Sequence, residues 1–217
     1  AGPANKQGRI AADNICGGNS RFTGSQGSSV LKLFGLTAAS TGINEKAAQA
    51  AEIACDKVVL FPASHATYYP GARSMAMKVL YEKESLRLLG AQIVGGEGVD
   101  KRIDVLATAI RAGMTALELT ELDLAYAPPY SSAKDPVNMA GFMIEDLESG
   151  KVRQFHWNEV ENLPCNGSAT LLDVRTAWEY QRGHLDGFRN IPLDDLREHL
   201  DELDRGKPVY VNCQTGL

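Results

Sequence analysis

Cys213 is the residue best placed for chemistry, because it directly follows Val209–Asn212, a short run typical of a buried strand. A loop that curls after a strand can aim successive backbone N–H groups at one sulfur, and such donors lower a thiol pKa toward a reactive thiolate. The alternative is a structural thiol, since cysteines outside disulfides are among the most buried residues. Position alone leaves both interpretations open.

Two tyrosines and a lysine lie in loops that contain proline. Tyr68 precedes Pro70 and Tyr126 precedes Pro128, so each phenol can stay exposed as a hydrogen-bond donor. Lys134 follows Tyr126 by eight residues and offers a positive point charge. The alternatives are tyrosines that simply pack at an interface and a solvated lysine before a helix.

The remaining cysteines and the four histidines predict neither a disulfide framework nor a metal centre. No CxxC or CxxxC pair occurs, and no histidine has a second ligand at metal-binding spacing. Cys16 and Cys55 lie on predicted apolar helix faces, where we expect them in the core. Cys165 lies in a predicted linker.

The composition narrows the functional classes. The chain has 217 residues, 44% of them hydrophobic and 23% charged, as in a globular protein of one large or two modest domains. Its net charge of −5 argues against a nucleic-acid partner. No apolar run approaches the roughly 18 residues that cross a bilayer, and residues 1–20 lack the apolar core of a signal peptide. We therefore expect a cytoplasmic protein with no membrane partner.

The elements between residues 20 and 150 predict an α+β domain with an antiparallel sheet. Asn44, Asp100 and Asp135 are predicted helix N-caps, and Pro136 takes a first helical position. The polar turn 82–85 predicts a hairpin between its flanking strands. The predicted strands cover 28–37, 57–61, 75–81 and 86–94, and the predicted helices cover 10–15, 45–54, 100–114 and 136–147.

A second, small α/β domain is predicted after a boundary near 150–156, where the composition changes. Strands over 170–174 and 209–212 flank an acidic helix over 194–203. This alternation is typical of an α/β domain.

The residues around Cys213 resemble a rhodanese (sulfurtransferase) domain. The resemblance rests on Leu171-Leu172-Asp173-Val174-Arg175, Trp178-Glu179-Tyr180, Gly183-His184-Leu185, Gly187, Asn190-Ile191-Pro192-Leu193 and Val209–Gly216. It implies that Cys213 is the nucleophile that carries a persulfide sulfur. It also implies a loop of backbone amides around this sulfur, formed by Gln214, Thr215, Gly216 and Leu217. The family's loop usually ends in a basic residue, which would fall just past Leu217, so we expect this chain alone to transfer sulfur poorly.

Residues 1–150 resemble the C-terminal interface domain of the pyridine nucleotide-disulfide oxidoreductases, preceded by the last helix of the FAD-binding domain. Three segments carry the resemblance, Gly2–Ala12, Phe22–Ser28 and Lys101-Arg102-Ile103-Asp104. The combination is similar to the coenzyme A-disulfide reductase and rhodanese fusions, also described as NAD-dependent persulfide reductases. It implies the end of an FAD-binding domain over 1–20, a dimerisation domain over 21–150 and a truncated rhodanese-like domain over 151–217.

The resemblance also implies partners and site residues. It implies a homodimer in which Tyr68 and Tyr126 reach into the partner's active site and stabilise or protonate a leaving thiolate. FAD would be contacted by Ala4, Gln7 and Tyr126, and coenzyme A by Asn5, Lys6 and Lys134. NAD(P)H would be the reductant, and no metal is implied.

These observations predict a fragment of an enzyme that reduces coenzyme A persulfide, coenzyme A disulfide or polysulfide. Both ends of the chain suggest such a fragment, because an apolar-periodic stretch begins almost at once and a core strand has no successor. Two alternatives remain open: an NADH oxidase or peroxidase with a rhodanese tail, and a non-catalytic dimerisation module. The choice between NADH and NADPH also stays open.

Overall fold

A computed structural model describes residues 2–215 of the chain. Helix α1 (Gly2–Ile15) begins it, and none of its residues is buried. Ile15 is 85% exposed, and Cys16 just beyond the helix is exposed as well. The predicted burial of Cys16 on an apolar helix face is therefore wrong, because no residue of this helix is buried.

A five-stranded antiparallel sheet forms the first domain. Its strands are β1 (Ser29–Leu33), β2 (Leu36–Gly42), β3 (Cys55–Leu60), β4 (Ala76–Glu82) and β5 (Leu88–Gly95). Their order across the sheet is β1-β2-β5-β4-β3. The predicted hairpin is confirmed as β4 and β5, which pair with Met77 opposite Ile93.

Three helices accompany the sheet: α2 (Glu45–Ala50), α3 (Val99–Ala112) and α4 (Pro136–Glu148). Helix α3 packs on β2 and β5, while α4 packs on a 3-10 helix, Leu117–Glu121. Alternate strand residues turn toward this layer because successive strand side chains point to opposite faces. The buried core joins Val58, Leu60, Met77, Val79, Tyr81, Ala91 and Ile93 from the strands to Ile103, Leu106, Val137, Ala140 and Ile144 from the helices.

Two predicted elements differ from the structure where single residues take left-handed backbone angles. The predicted strand 28–37 is a hairpin, because Phe34 has φ of 51° and lets the chain reverse between Leu33 and Leu36. The predicted helix 45–54 ends at Ala50, since Glu52 has φ of 55°. The next strand therefore starts at Cys55, which is half-buried on β3 and not on a helix face.

The predicted N-caps are confirmed at two of three helices. Asn44 accepts from the Ala47 amide, and Asp135 accepts from the Val137 amide. Asp100 is not a cap, because α3 starts one residue before it, after Gly98 with φ of 72°. Asp100 lies instead in the first turn, where its carboxylate interacts favourably with the positive end of the helix dipole.

A three-stranded parallel sheet forms the second domain. It comprises β6 (Thr170–Asp173), β7 (Arg189–Asn190) and β8 (Val209–Asn212) in the order β7-β6-β8, with helix α5 (Ala177–Arg182) between β6 and β7. Two 3-10 helices, Trp157–Asn162 and Leu196–Glu202, complete it. The predicted helix 194–203 is thus shorter and of the 3-10 type.

The second domain contacts one edge of the first sheet, at strand β3. Strand β3 is an edge strand, and its Lys57 carbonyl accepts from Gln154 Nε2 at 2.6 Å. The Phe61 amide, just past β3, donates to the Thr215 carbonyl at 2.8 Å. Unpaired edge groups invite pairing with other chains, so these contacts also protect the sheet.

Candidate functional site

The phenols of Tyr68 and Tyr126 meet on the surface of the first domain. Their hydroxyl oxygens lie 3.0 Å apart, although the residues are separated by 58 positions. Tyr68 is 76% exposed and Tyr126 47% exposed. Within the pair one hydroxyl donates to the other, so one O–H remains for an acceptor outside the pair. The hydrogen bond with Tyr68 raises the pKa of Tyr126, which keeps that phenol protonated at neutral pH.

The two tyrosine loops are tied to each other by backbone contacts. The Ala66 amide donates to the Ser131 carbonyl at 3.0 Å, two residues before Tyr68. Within the first loop, the Tyr69 amide donates to the Ala66 carbonyl at 2.9 Å. Buried His65 places one ring nitrogen 3.1 Å from Ser64 Oγ and the other 3.3 Å from the Pro70 carbonyl. The loop that carries Tyr68 is therefore closed upon itself.

Arg102 lies beneath both loops and is only 1% exposed. Its Nη2 donates to the Ser64 carbonyl at 3.0 Å and to Ser131 Oγ at 3.1 Å. The same guanidinium donates to Asp135 Oδ2 at 3.0 Å and to the Tyr130 carbonyl at 3.4 Å. A Cβ on Gly98 would collide with this guanidinium, so the close approach requires glycine there.

Asp135 is the buried anion that balances Arg102. It accepts from Ser131 Oγ at 2.7 Å and caps α4 through the Val137 amide at 3.0 Å. Burial would raise the pKa of Asp135, but these donors and the Arg102 charge outweigh it and lower the pKa. Lys101 lies 3.6 Å from the same carboxylate and donates to the Ala125 carbonyl, next to Tyr126.

Lys134 is exposed immediately before α4. Its neighbour Asp135 fixes the start of that helix, so the backbone at Lys134 is held while its ammonium stays in solvent. Its position on the same segment as Ser131 places it in the part of the fold that also holds Tyr126.

Cys213 follows β8 in the second domain and is half-buried against Leu172, Val174 and Ile191. The strand that leads to it is held by Asn212, whose Nδ2 donates to Asp173 Oδ2 at 3.1 Å. The predicted loop residues Gln214 and Thr215 lie exposed and half-buried, respectively. Gly216 and Leu217 lie outside the described residues.

Asp173 is the fully buried centre of the second domain's polar network. Arg175 Nε donates to both carboxylate oxygens at 3.0 and 3.1 Å, and its Nη2 donates at 2.6 Å. Arg175 also donates to the Gly183 carbonyl at 2.9 Å. Burial would raise the pKa of Asp173, but the bonds from Arg175 and Asn212 lower it. The carboxylate therefore joins the ends of β6 and β8.

The four predicted residues of α1 stay apart from the other candidates. Ala4, Asn5, Lys6 and Gln7 are exposed in the first turns of the helix. No acidic side chain lies in its first turn, so the positive end of the helix is open to an electron-rich group.

The structure thus brings together Tyr68 and Tyr126, with Lys134 on an adjoining segment, and places Cys213 in the other domain. A depression of about 350 Å³ lies around Glu45, Lys78 and Gln92 and contains no predicted site residue. Sequence reasoning missed the role of Arg102. A signal was present, because Arg102, Leu106 and Ala109 follow helical spacing and all face the core.

Within residues 2–215, no group of three or more histidine, cysteine or acidic residues could hold a metal ion. In the same range, no helix combines the length and the apolar character needed to cross a membrane.

Each of the two domains matches a known protein family. Residues 29–136 match the pyridine nucleotide-disulphide oxidoreductase dimerisation domain, and residues 156–217 match the rhodanese-like domain. The chain carries this dimerisation domain followed by a rhodanese-like domain. The predicted fold class is confirmed. The phenol pair lies in the dimerisation domain, and Cys213 in the rhodanese-like domain.

Several known proteins are similar to this chain. The coenzyme A disulfide reductase of Staphylococcus haemolyticus is 41% identical over 145 residues, 66% of this chain and 32% of that protein. The structure of reduced Bacillus anthracis CoADR-RHD matches with a TM-score of 0.89 at 46% identity, covering 98% of this chain and 38% of that one. A NAD-dependent persulfide reductase from A. fulgidus matches with a TM-score of 0.86 at 42% identity, covering 97% and 38%. The chain spans about a third of the curated relatives' length.

Proposed function

We propose that this chain is part of a homodimeric, flavin-dependent oxidoreductase that uses NAD(P)H to reduce coenzyme A persulfide, coenzyme A disulfide or polysulfide. For the persulfide, NAD(P)H, a proton and the CoA–S–SH persulfide yield NAD(P)⁺, coenzyme A thiol and hydrogen sulfide. Similarity to the Staphylococcus coenzyme A disulfide reductase and to the A. fulgidus NAD-dependent persulfide reductase supports this reaction class.

The observation that carries the proposal is the phenol pair. Cleavage of an S–S bond releases a thiolate, which leaves more readily when a donor protonates it or hydrogen-bonds to it. Tyr68 and Tyr126 supply one uncommitted O–H from a pair that is exposed on the domain surface. The raised pKa of Tyr126 makes this phenol a weaker acid, so the pair would act on the leaving thiolate chiefly as a hydrogen-bond donor.

The N-terminal helix fits a flavin. Its first-turn amides and the absence of acidic side chains there suit a ring system that becomes more negative on reduction. When bound, the flavin would carry electrons from NAD(P)H to the sulfur chemistry. Ala4, Gln7 and Tyr126 would contact it, while Asn5, Lys6 and Lys134 would hold coenzyme A, the two lysines by pairing with its phosphates.

Cys213 would act as a sulfur carrier. Its thiolate would attack the terminal sulfur of a persulfide R–S–SH, forming Cys213–S–SH and releasing R–S⁻. A coenzyme A thiolate would then take that outer sulfur, forming CoA–S–SH and returning the Cys213 thiolate. Amides of the 214–217 loop would stabilise the thiolate, and the Asp173 network holds the strand from which this loop starts.

The decisive experiment replaces the phenols in the polypeptide that contains this chain. Tyr68→Phe and Tyr126→Phe should each lower kcat for coenzyme A persulfide by roughly 100-fold, the usual contribution of a general acid. NAD(P)H-dependent ferricyanide reduction, which releases no thiolate, should not change. Tyr130→Phe is the matched control, because this tyrosine is also exposed on the Tyr126 loop and lies outside the pair.

Two outcomes would contradict the proposal. Full persulfide reduction by the double Tyr68→Phe, Tyr126→Phe variant would remove the phenols from the reaction. Rapid NADH consumption that requires oxygen and not a sulfur substrate would favour the oxidase alternative. For the rhodanese-like domain, Cys213→Ala should abolish persulfide labelling while the protein still dimerises.

A further inference from the structure

We propose that Arg102 is the positioning residue that holds the loops of Tyr68 and Tyr126 at the spacing at which their phenols hydrogen-bond. This inference deepens the proposed function and rests on it for its catalytic meaning. Its structural content concerns the two loops alone and is tested separately.

The first step is that Arg102 contacts both loops at the base of each tyrosine. Its Nη2 reaches the Ser64 carbonyl, four residues before Tyr68. The same nitrogen reaches the Tyr130 carbonyl and Ser131 Oγ, four and five residues after Tyr126. One planar guanidinium therefore sets the spacing between two chain segments that are far apart in sequence.

The second step is that few hydrogen bonds other than those of Arg102 join the two loops to each other. Apart from those of Arg102, the hydrogen bonds that join them among the described residues are the Ala66–Ser131 backbone bond and the phenol bond itself. Tyr68 and Tyr126 are both exposed, so core packing does not fix their rings. Two exposed side chains held in one geometry lose rotamer entropy. Because Arg102 holds the backbone of both loops, less conformational entropy is left to lose when the phenols pair.

The third step is that Arg102 is itself held firmly. Asp135 accepts from it through both carboxylate oxygens, at 3.4 Å for Nε and 3.0 Å for Nη2. The Gly98 carbonyl accepts from Nη1 at 3.2 Å, one helical turn earlier. No buried side-chain polar atom among the described residues lacks a hydrogen-bond partner. These partners hold the guanidinium from its own helix, from the N-cap of α4 and from both loops.

Arg102→Lys keeps the positive charge of the side chain and changes its hydrogen-bonding geometry. The lysine ammonium keeps the positive charge beside Asp135, but a single nitrogen cannot reach Ser64, Ser131 and Asp135 in the arginine's planar geometry. We expect Arg102→Lys to fold and to release the loops. Arg111→Lys is the matched control, because Arg111 is an exposed arginine on the same helix whose guanidinium, among the described residues, bonds Thr23 and neither tyrosine loop.

The conformation of the two loops is measured by ¹⁹F NMR of the chain labelled with 3-fluorotyrosine. Single phenylalanine substitutions assign the signals of the seven tyrosines. In the wild type, Tyr68→Phe should shift the Tyr126 signal, because the phenol bond is lost. Arg102→Lys should cause the same shift by itself, and adding Tyr68→Phe should cause no further one. Arg111→Lys should leave the signal in place.

If Arg102→Lys fails to fold by circular dichroism, Ser131→Ala replaces it, since that change keeps the Arg102–Asp135 ion pair and removes one loop contact. In the reductase, Arg102→Lys should lower kcat for coenzyme A persulfide roughly tenfold through lost orientation, with the KM for NAD(P)H unchanged. A folded variant whose Tyr126 signal does not move overturns the inference. A shifted signal with persulfide reduction unaffected by the tyrosine variants would instead overturn the proposed function.

Discussion

Asp173→Asn should destabilise the rhodanese-like domain by about 3 kcal/mol. Asp173 is fully buried and neutralises Arg175, whose side chain is 16% exposed. Breaking a buried ion pair by removing one charge costs about 3–5 kcal/mol. The lower end applies here, because Arg175 keeps the Gly183 carbonyl and some solvent.

The acid sensitivity of the domain should change with the same substitution. Because hydrogen bonds lower the folded-state pKa of Asp173 below the unfolded value of about 3.9, its contribution is complete above that pH. It is lost as the pH falls through the folded-state pKa. Asp173→Asn removes this term, so the variant should be less stable at neutral pH and lose less additional stability in acid.

Hydrogen exchange of a peptide that spans β6 measures the effect. A loss of about 3 kcal/mol should speed exchange there roughly 100-fold, since each 1.4 kcal/mol is a factor of ten. A peptide spanning β4 in the other domain serves as the internal reference. Asp204→Asn is the control variant, because its ion pair with Lys207 is exposed and should contribute under 1 kcal/mol. Equal exchange in the two variants would refute the role given to Asp173.

Two further predictions concern the dimerisation domain. Glu45→Gln should cost about 1–2 kcal/mol at neutral pH, as Glu45 bridges Lys57 and Lys78, whose bonds lower its pKa to about 2. In the wild type this contribution should fade as the pH drops from about 4 toward 2, and acid titration by circular dichroism that shows no difference would contradict it. Tyr81→Phe should cost about 1–2 kcal/mol in urea unfolding, because its buried hydroxyl donates to Glu148 at 3.0 Å. A midpoint unchanged from the wild type would exclude that bond as a stabilising contact.

The sequence predicted the elements where local signals agreed with tertiary structure. Val209–Asn212 forms the strand that its β-branched residues indicated, and Asp135-Pro136 starts a helix as capping chemistry requires. Two of the errors arose where one residue accepts a rare backbone angle, at Phe34 and at Glu52. Such angles are imposed by the surrounding fold, so composition and periodicity carry no sign of them.

The two candidate groups share one supporting arrangement that no local pattern reveals. In each domain a buried aspartate binds an arginine that also donates to the backbone carbonyl of a neighbouring loop: Arg102 to Ser64, and Arg175 to Gly183. Each aspartate also fixes the segment beside a candidate residue, through Ser131 near Tyr126 and through Asn212 next to Cys213. A buried charge is costly without its partner, so these loops cannot shift without breaking the ion pair. The chemistry proposed for the phenols and the thiol therefore depends on two arginine–aspartate pairs that need not touch any substrate.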